Sequence, residues 1–378
     1  MYRFKKWISL IAFFVFLISV SLTAHAEQPD TALAKPTVSA QAALLFEPTS
    51  GSVLFEQSAD KQLPMASTTK IMTALLAVEY AEANQNPIVT ITEEMVAVEG
   101  SSMGLRAGYQ LSVLDIAGGM MMSSGNDAAN SLALFIGKTK ENFANLMNDR
   151  AATIGMKNTH FVTPSGLDDE QHYTTAYDMA LLGAEAMNNA TFFSIVSSSA
   201  LKVNFAEPQQ TIRYQNHNKL LKMYDNCLGI KTGYTKKSGR CLVSAAKKDG
   251  VMLIAVTLNA PNDWNDHSSL FDYGFSQVEP VSFDETTFRT QIPVIGGTDE
   301  ILWVSGGTLA TALPKDSTST LNKVICLPKF VYAPVEAGDQ VGSIEYYKGE
   351  QKVASVPILA DTSVAYAEKQ TLWQKWFG

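Results

Sequence analysis

A chain of 378 residues with 46% hydrophobic content is too long for one ordinary domain and comfortable for two. Its formal charge of −8, without any basic run, excludes nucleic acid as a partner. Five histidines, three cysteines and neither a Cys-x-x-Cys nor a His-Glu-x-x-His pattern argue against a zinc hydrolase, so no metal and no cofactor is expected.

In chain order, Arg3, Lys5 and Lys6 precede an uncharged apolar run, Trp7 to Leu22, and Ala24-His25-Ala26 follows it. That order predicts a signal peptide over 1–26, a mature chain starting at Glu27 and an exported protein. The run is short for a membrane span of ~20 residues, which disfavours an uncleaved anchor. Cleavage would leave 26 basic residues against 37 acidic ones, a charge of −11. Ala42–Phe46 and Val53–Phe55, joined by Glu47-Pro48-Thr49-Ser50-Gly51, predict a hairpin. A helix is expected from about Ser67, and helical segments dominate to about Ser198. Strands return at 228–232, 241–245 and 252–256, the last two joined by Asp249-Gly250. This order predicts an α+β domain with one antiparallel sheet. From about Pro280, short Val/Ile/Leu-rich pieces alternating with Gly, Pro and Asp predict a small all-β domain.

Cleaving an amide by acyl transfer needs a nucleophile, a base, oxyanion donors and a grip on the substrate. Ser67-Thr68-Thr69-Lys70 can supply the first two, because three residues of helix give ~300° of turn and ~4.5 Å of rise. Lys70 would act as a base only if burial and a nearby cation lowered its pKa from ~10.4. Ser-x-x-Lys also begins at Ser58, Ser199 and Ser244, but only Ser67 opens an apolar helical run. A plain helix cap remains the simpler reading of Ser67 alone. Ser124-Gly125-Asn126 could present a hydroxyl and a carboxamide to a cleft, and is equally an everyday loop tripeptide. Lys231-Thr232-Gly233 on a strand could bind a carboxylate, with Gly233 letting a ligand approach the backbone. Lys237-Ser238-Gly239 fits that pattern loosely and is explained by a turn. The three pieces lie 57 and 107 residues apart, and their order and element types suit one site.

In these three motifs the chain resembles the low-molecular-mass penicillin-binding proteins, the serine D-alanyl-D-alanine carboxypeptidases. The segments Gly100–Leu105, Pro164–Asp168, Thr175–Ala180, Asn218–Leu221 and Val335–Gly342 are similar to family segments too. The resemblance implies a penicillin-binding/β-lactamase-like fold over 37–278, a C-terminal β domain over 279–362 and a membrane-surface tail over 363–378. It implies that Ser67 attacks the carbonyl between two D-alanines, Lys70 takes its proton and Ser124 passes that proton to the leaving group. The Ser67 and Tyr234 N–H groups would bind the oxyanion, Asn126 the peptide, and Lys231, Thr232 and Gly233 the carboxylate end. Peptidoglycan stem peptides are the implied substrate, β-lactams the implied inhibitors, and the outer face of the cytoplasmic membrane the implied location. Tyr234 stands where some relatives carry His, which bears on pH dependence and not on the backbone donor; His217 stands where some carry Arg, which leaves open how the carboxylate is held.

Alternatives remain. A β-lactamase would need a water-activating Glu after the second motif, and 164–170 shows no clear Glu-x-x-x-Asn. Endopeptidase action depends on cleft shape, and a silent peptidoglycan-binding or penicillin-sensing module is disfavoured by the intact reactive set. Leu372, Trp373, Trp376 and Phe377 form one helical stripe that suits weak interfacial contact, against a plain frayed tail. Cys227 and Cys241, on strands flanking the Lys-Thr-Gly hairpin, could form a disulfide or stay as buried thiols.

Overall fold

The computed structural model describes residues 33–315 and 321–367. The expected signal peptide and residues 368–378 of the expected tail lie outside them. The first hairpin is present as β1 (Ala42–Glu47) and β2 (Ser52–Gln57). Every residue of β1 is buried, because both faces of its sheet are covered. Leu44 and Phe46 join the helical core on one side, while Ala43 and Leu45 join a second core on the other. The strand's two-residue period thus divides its side chains between two layers.

The helical middle follows as α1 (Lys70–Ala83), β3 (Ile88–Thr90), α2 (Glu93–Val96), β4 (Gln110–Ser112), α3 (Val113–Ser123), α4 (Asn126–Gly137), α5 (Lys140–Ile154), α6 (Ala176–Asn188) and α7 (Ala190–Val196). Then come β5 (Ala200–Glu207), β6 (Gln210–Gln215), α8 (Leu220–Met223), β7 (Cys227–Thr235), β8 (Gly239–Lys248), β9 (Val251–Leu258) and α9 (Asp263–Gln277). The main sheet is antiparallel in the order β2-β1-β9-β8-β7, which leaves the Lys-Thr-Gly strand β7 on an edge. The helical core lies over one face and α9 over the other.

The expectation of one sheet fell short. A four-stranded antiparallel sheet, β3-β4-β5-β6, is threaded through the helical region. Its strands β3 and β4 have three residues each, and β4 joins this pair to β5, whose partner residues lie more than 90 positions further on. No local periodicity can announce such pairing. The sheet matters to the site because the Tyr214 hydroxyl on β6 donates to the Met103 carbonyl (2.8 Å), holding the loop that carries Ser101.

Beyond α9 the chain is all β. β10 (Val278–Asp284) pairs with β13 (Thr308–Pro314). β11 (Arg289–Ile295), β12 (Ile301–Gly306), β14 (Leu321–Cys326), β15 (Val331–Tyr332), β16 (Gln340–Lys348) and β17 (Gln351–Ala360) form a sheet in the order β14-β16-β17-β12-β11-β15. Its core, including Leu302, Val304, Ile344, Val356 and Ile358, is separate from the two cores of the first half. The fold is therefore the expected mixed α+β region followed by a small β-rich domain.

Of the two alternatives for Cys227 and Cys241, the structure has the buried thiols and not the disulfide. Cys227 faces Ala246 and Cys241 faces Gly233, so the two lie six register positions apart, about 20 Å along the strands. Disulfide geometry demands Cα atoms within about 7 Å. All three thiols are free, two buried and Cys326 exposed, and burial pushes Cys227 and Cys241 up to about 11. Without reductant, one thiol of the folded protein should therefore react promptly with a maleimide and three after denaturation. Fewer than three in the denatured, unreduced protein would contradict the free state of the three thiols.

Candidate active site

The chain enters the site through a tight turn. Ala66 is forced into the left-handed region (φ +48°), a 3-10 turn spans Ala66–Thr69, and α1 starts at Lys70. The Ser67 side chain caps neither helix, so the plain-cap reading fails here. Instead Ser67 Oγ lies 3.0 Å from Lys70 Nζ. The other Ser-x-x-Lys spacings make no such pair. Ser244, for example, lies buried in β8 on His267, and the odd spacing sends Lys247 to the opposite, exposed side.

Lys70 is fully buried, and its Nζ also meets the Asn126 Oδ1 (2.8 Å) and the Ser165 carbonyl oxygen (2.7 Å). Those two partners can only accept. A neutral amine has two hydrogens and one lone pair, so two hydrogens go to the acceptors and the lone pair is left for the Ser67 hydroxyl. Burial first, and the Lys231 cation second, hold Lys70 well below the ordinary lysine range, against the opposing pull of Asp127. Asp127 is itself occupied: it accepts from Ser102 Oγ and from the N–H groups of Met103, Gly104 and Leu105.

Ser124 ends α3 in the left-handed region (φ +59°), Gly125 caps α4, and Asn126 is that helix's first residue. The reversal places Ser124 on the cleft beside Ser67, Ser101, Thr232, Gly233 and Tyr234. Asn126 does something the sequence did not suggest. It accepts from Lys70, and its Nδ2 donates to the Glu99 carbonyl (2.7 Å), so its carboxamide orients the lysine.

On β7, Lys231 is buried while Thr232 and Tyr234 line the cleft. Burial pushes Lys231 down to about 7, and its Nζ donates to the Thr232 carbonyl (2.9 Å). Gly233 is required by proximity: a Cβ there would sit 3.0 Å from the Ser67 nitrogen and 3.1 Å from the Met65 oxygen. The edge strand and the nucleophile turn are thus packed backbone to backbone.

Three further cleft residues escape a reading of the sequence. Arg240 donates through Nη2 (2.8 Å) and Nε (3.0 Å) to Asp263 Oδ1, and its guanidinium lies 5.4 Å from the Trp264 ring centre. Arg240 is directly opposite Tyr234 in the β7–β8 register, which is the signal that could have found it. It supplies a cation to the cleft that His217 also lines; the His217 pKa is lowered by partial burial and by Lys231.

Comparison with known proteins supplies the family. Residues 29–262 match the family model for D-alanyl-D-alanine carboxypeptidase, and 275–366 match that for the penicillin-binding protein 5 C-terminal domain. The chain is 33% identical to the D-alanyl-D-alanine carboxypeptidase DacC of Escherichia coli (strain K12), covering 93% of this chain and 90% of that one. It is 29% identical to DacF of Bacillus subtilis (strain 168), covering 99% and 98%. Among solved structures, penicillin binding protein 5 from Haemophilus influenzae superposes with a TM-score of 0.68 at 28% identity, over 88% of this chain and 99% of that one. The Streptomyces K15 DD-transpeptidase superposes with a TM-score of 0.61 at 30% identity, over 65% and 100%. The chain belongs to the D-alanyl-D-alanine carboxypeptidase family and is a serine hydrolase of the penicillin-binding protein type.

Proposed function

We propose that this enzyme removes the terminal D-alanine of peptidoglycan stem peptides through an acyl-enzyme on Ser67. The observation that carries the reading is the Lys70 environment: a buried amine with two acceptor-only partners and one nucleophile hydroxyl. Lys70 takes the Ser67 proton as Oγ attacks the penultimate carbonyl. Ser124 relays that proton to the departing D-alanine, and the Ser67 and Tyr234 N–H groups bind the oxyanion. Asn126 steers Lys70 and keeps one amide hydrogen for the peptide. Lys231 and Thr232 hold the terminal carboxylate, and Gly233 keeps the edge strand against the turn. Water then releases the tetrapeptide. β-Lactams would be attacked by the same Ser67.

Residues 37–278 would carry this chemistry and 279–362 the β domain, with 1–26 directing export. The location would be the outer face of the cytoplasmic membrane, where 363–378 could touch the lipid surface. A stem pentapeptide ending in D-Ala-D-Ala should give one free D-alanine and a tetrapeptide. Release of a dipeptide, or no release, would contradict the proposal.

The two lysines predict the pH profile. The base must be neutral, so kcat/KM rises as pH climbs through the lowered Lys70 pKa. The carboxylate grip must be charged, so kcat/KM falls as pH passes the lowered Lys231 pKa. A bell is expected whose falling limb lies below the ordinary lysine value of ~10.4. It should move upward in kcat, because a bound carboxylate favours the ammonium. A profile that keeps rising to pH 10 would contradict it, as would a falling limb that Lys231→Arg leaves in place.

A further inference from the structure

Behind the nucleophile turn lies a chain of buried polar groups that the proposed reaction does not use. Val162 N–H donates to His172 Nδ1 (2.9 Å), with the Thr163 nitrogen also near it (3.4 Å). Nδ1 is therefore the acceptor, and the ring proton sits on Nε2. Nε2 lies 2.8 Å from Thr69 Oγ1, so it donates there, and Thr69 Oγ1 in turn donates to the Ala66 carbonyl (2.8 Å). Each hydrogen in this chain has one direction open to it.

The end of the chain is what matters. The Ala66 carbonyl and the Ser67 N–H belong to one rigid peptide plane and point in opposite directions. Anchoring the oxygen aims the nitrogen. Ala66 occupies the left-handed region, which an alanine leaves unless its surroundings hold it there. Gly166 closes the other side: a Cβ on it would lie 1.9 Å from that same carbonyl oxygen.

We propose that His172 is a positioning residue that, through Thr69 and the Ala66 carbonyl, fixes the direction of the Ser67 N–H that receives the oxyanion. The ring also holds the head of the loop whose Ser165 carbonyl receives Lys70 and whose Pro164 carbonyl receives Thr73. His172 is buried, and that burial pushes its pKa down to about 4 despite the neighbouring Asp169, with His160 acting in the same lowering sense. It stays neutral, with one tautomer, throughout the working range.

The inference rests on Ser67 being the acylated residue. The test measures kcat, KM and the acylation rate constant with a labelled penicillin for Thr69→Val, Thr69→Ser, His172→Phe, His172→Gln and the Thr69→Val/His172→Phe double variant. Thr69→Val and His172→Phe should each lower kcat and the acylation rate about 10- to 100-fold, with KM within about twofold, as expected for a misaimed oxyanion donor. Thr69→Ser keeps the hydroxyl and His172→Gln keeps a donor at the Nε2 position, so both should stay within about threefold of the native enzyme. The double variant should lose no more than the worse single one. Thr69→Val conserves volume and is compared with Thr69→Ser, so the test stands even if His172→Phe does not fold. Native rates in Thr69→Val, equal losses in Thr69→Ser, a loss confined to KM, or losses that multiply in the double variant would overturn the proposal. Absence of an adduct on Ser67 in the unmodified enzyme would instead defeat the reading beneath it.

Discussion

Ser67→Ala is expected to lower D-alanine release by about 10⁴-fold or more while leaving the melting temperature nearly unchanged. The kinetic loss arises because no covalent route remains, and losses of this size accompany removal of a serine nucleophile that acts as one unit with its base. The small stability effect reflects what the hydroxyl touches. Ser67 caps neither the 3-10 turn nor α1, and among the described residues its hydroxyl is hydrogen-bonded to Lys70 alone. A D-alanine release assay beside a thermal melt checks both halves. A variant that kept a tenth of native activity, or one that failed to fold, would contradict the assignment.

Lys70→Met is expected to lower the acylation rate about 10²- to 10⁴-fold, the contribution of a positioned general base. Unlike the serine change, it should also destabilise the fold by roughly 1–3 kcal/mol. Methionine fills the fully buried space, but the Asn126 Oδ1 and the Ser165 carbonyl lose their donor. Lys70→Arg should not rescue activity at any accessible pH, because a guanidinium stays protonated and has no lone pair to offer Ser67. Stopped-flow acylation by a chromogenic β-lactam and denaturant unfolding measure the two effects. Activity of Lys70→Arg above a few per cent of native would show that the lysine is a charge and not a base.

The motif residues are legible because each is a distinctive side chain on an element that local pattern reveals: Ser67 at the head of an apolar helix, Ser124 on a break between helices, Lys231 on an alternating strand. The features that stay hidden depend on partners distant in sequence. The β3-β4-β5-β6 sheet is built from strands too short to show a period. Arg240 comes beside Tyr234 only through the hairpin register, and the same register separates Cys227 from Cys241. Asn126 reads from sequence as a substrate contact because its type suits an amide. Its use on Lys70 depends on a contact 56 positions away in the chain. His172 carries no motif and lies 103 positions from the Thr69 it meets.

The loop after the second motif also bears on the fate of the acyl-enzyme. It turns a carbonyl, that of Ser165, towards Lys70, and its Asp168 is taken by the Thr235 hydroxyl (2.8 Å). Glu170 faces a different groove, with Gln62 and His172. None of these is a carboxylate placed to activate water at Ser67, so a penicilloyl-enzyme should persist. The most direct test is therefore mass spectrometry of the protein after brief exposure to penicillin. One intact penicillin should be found on the peptide containing Ser67, stable for minutes and absent from Ser67→Ala. An adduct on another residue, no adduct, or rapid turnover of penicillin without accumulation would contradict the account.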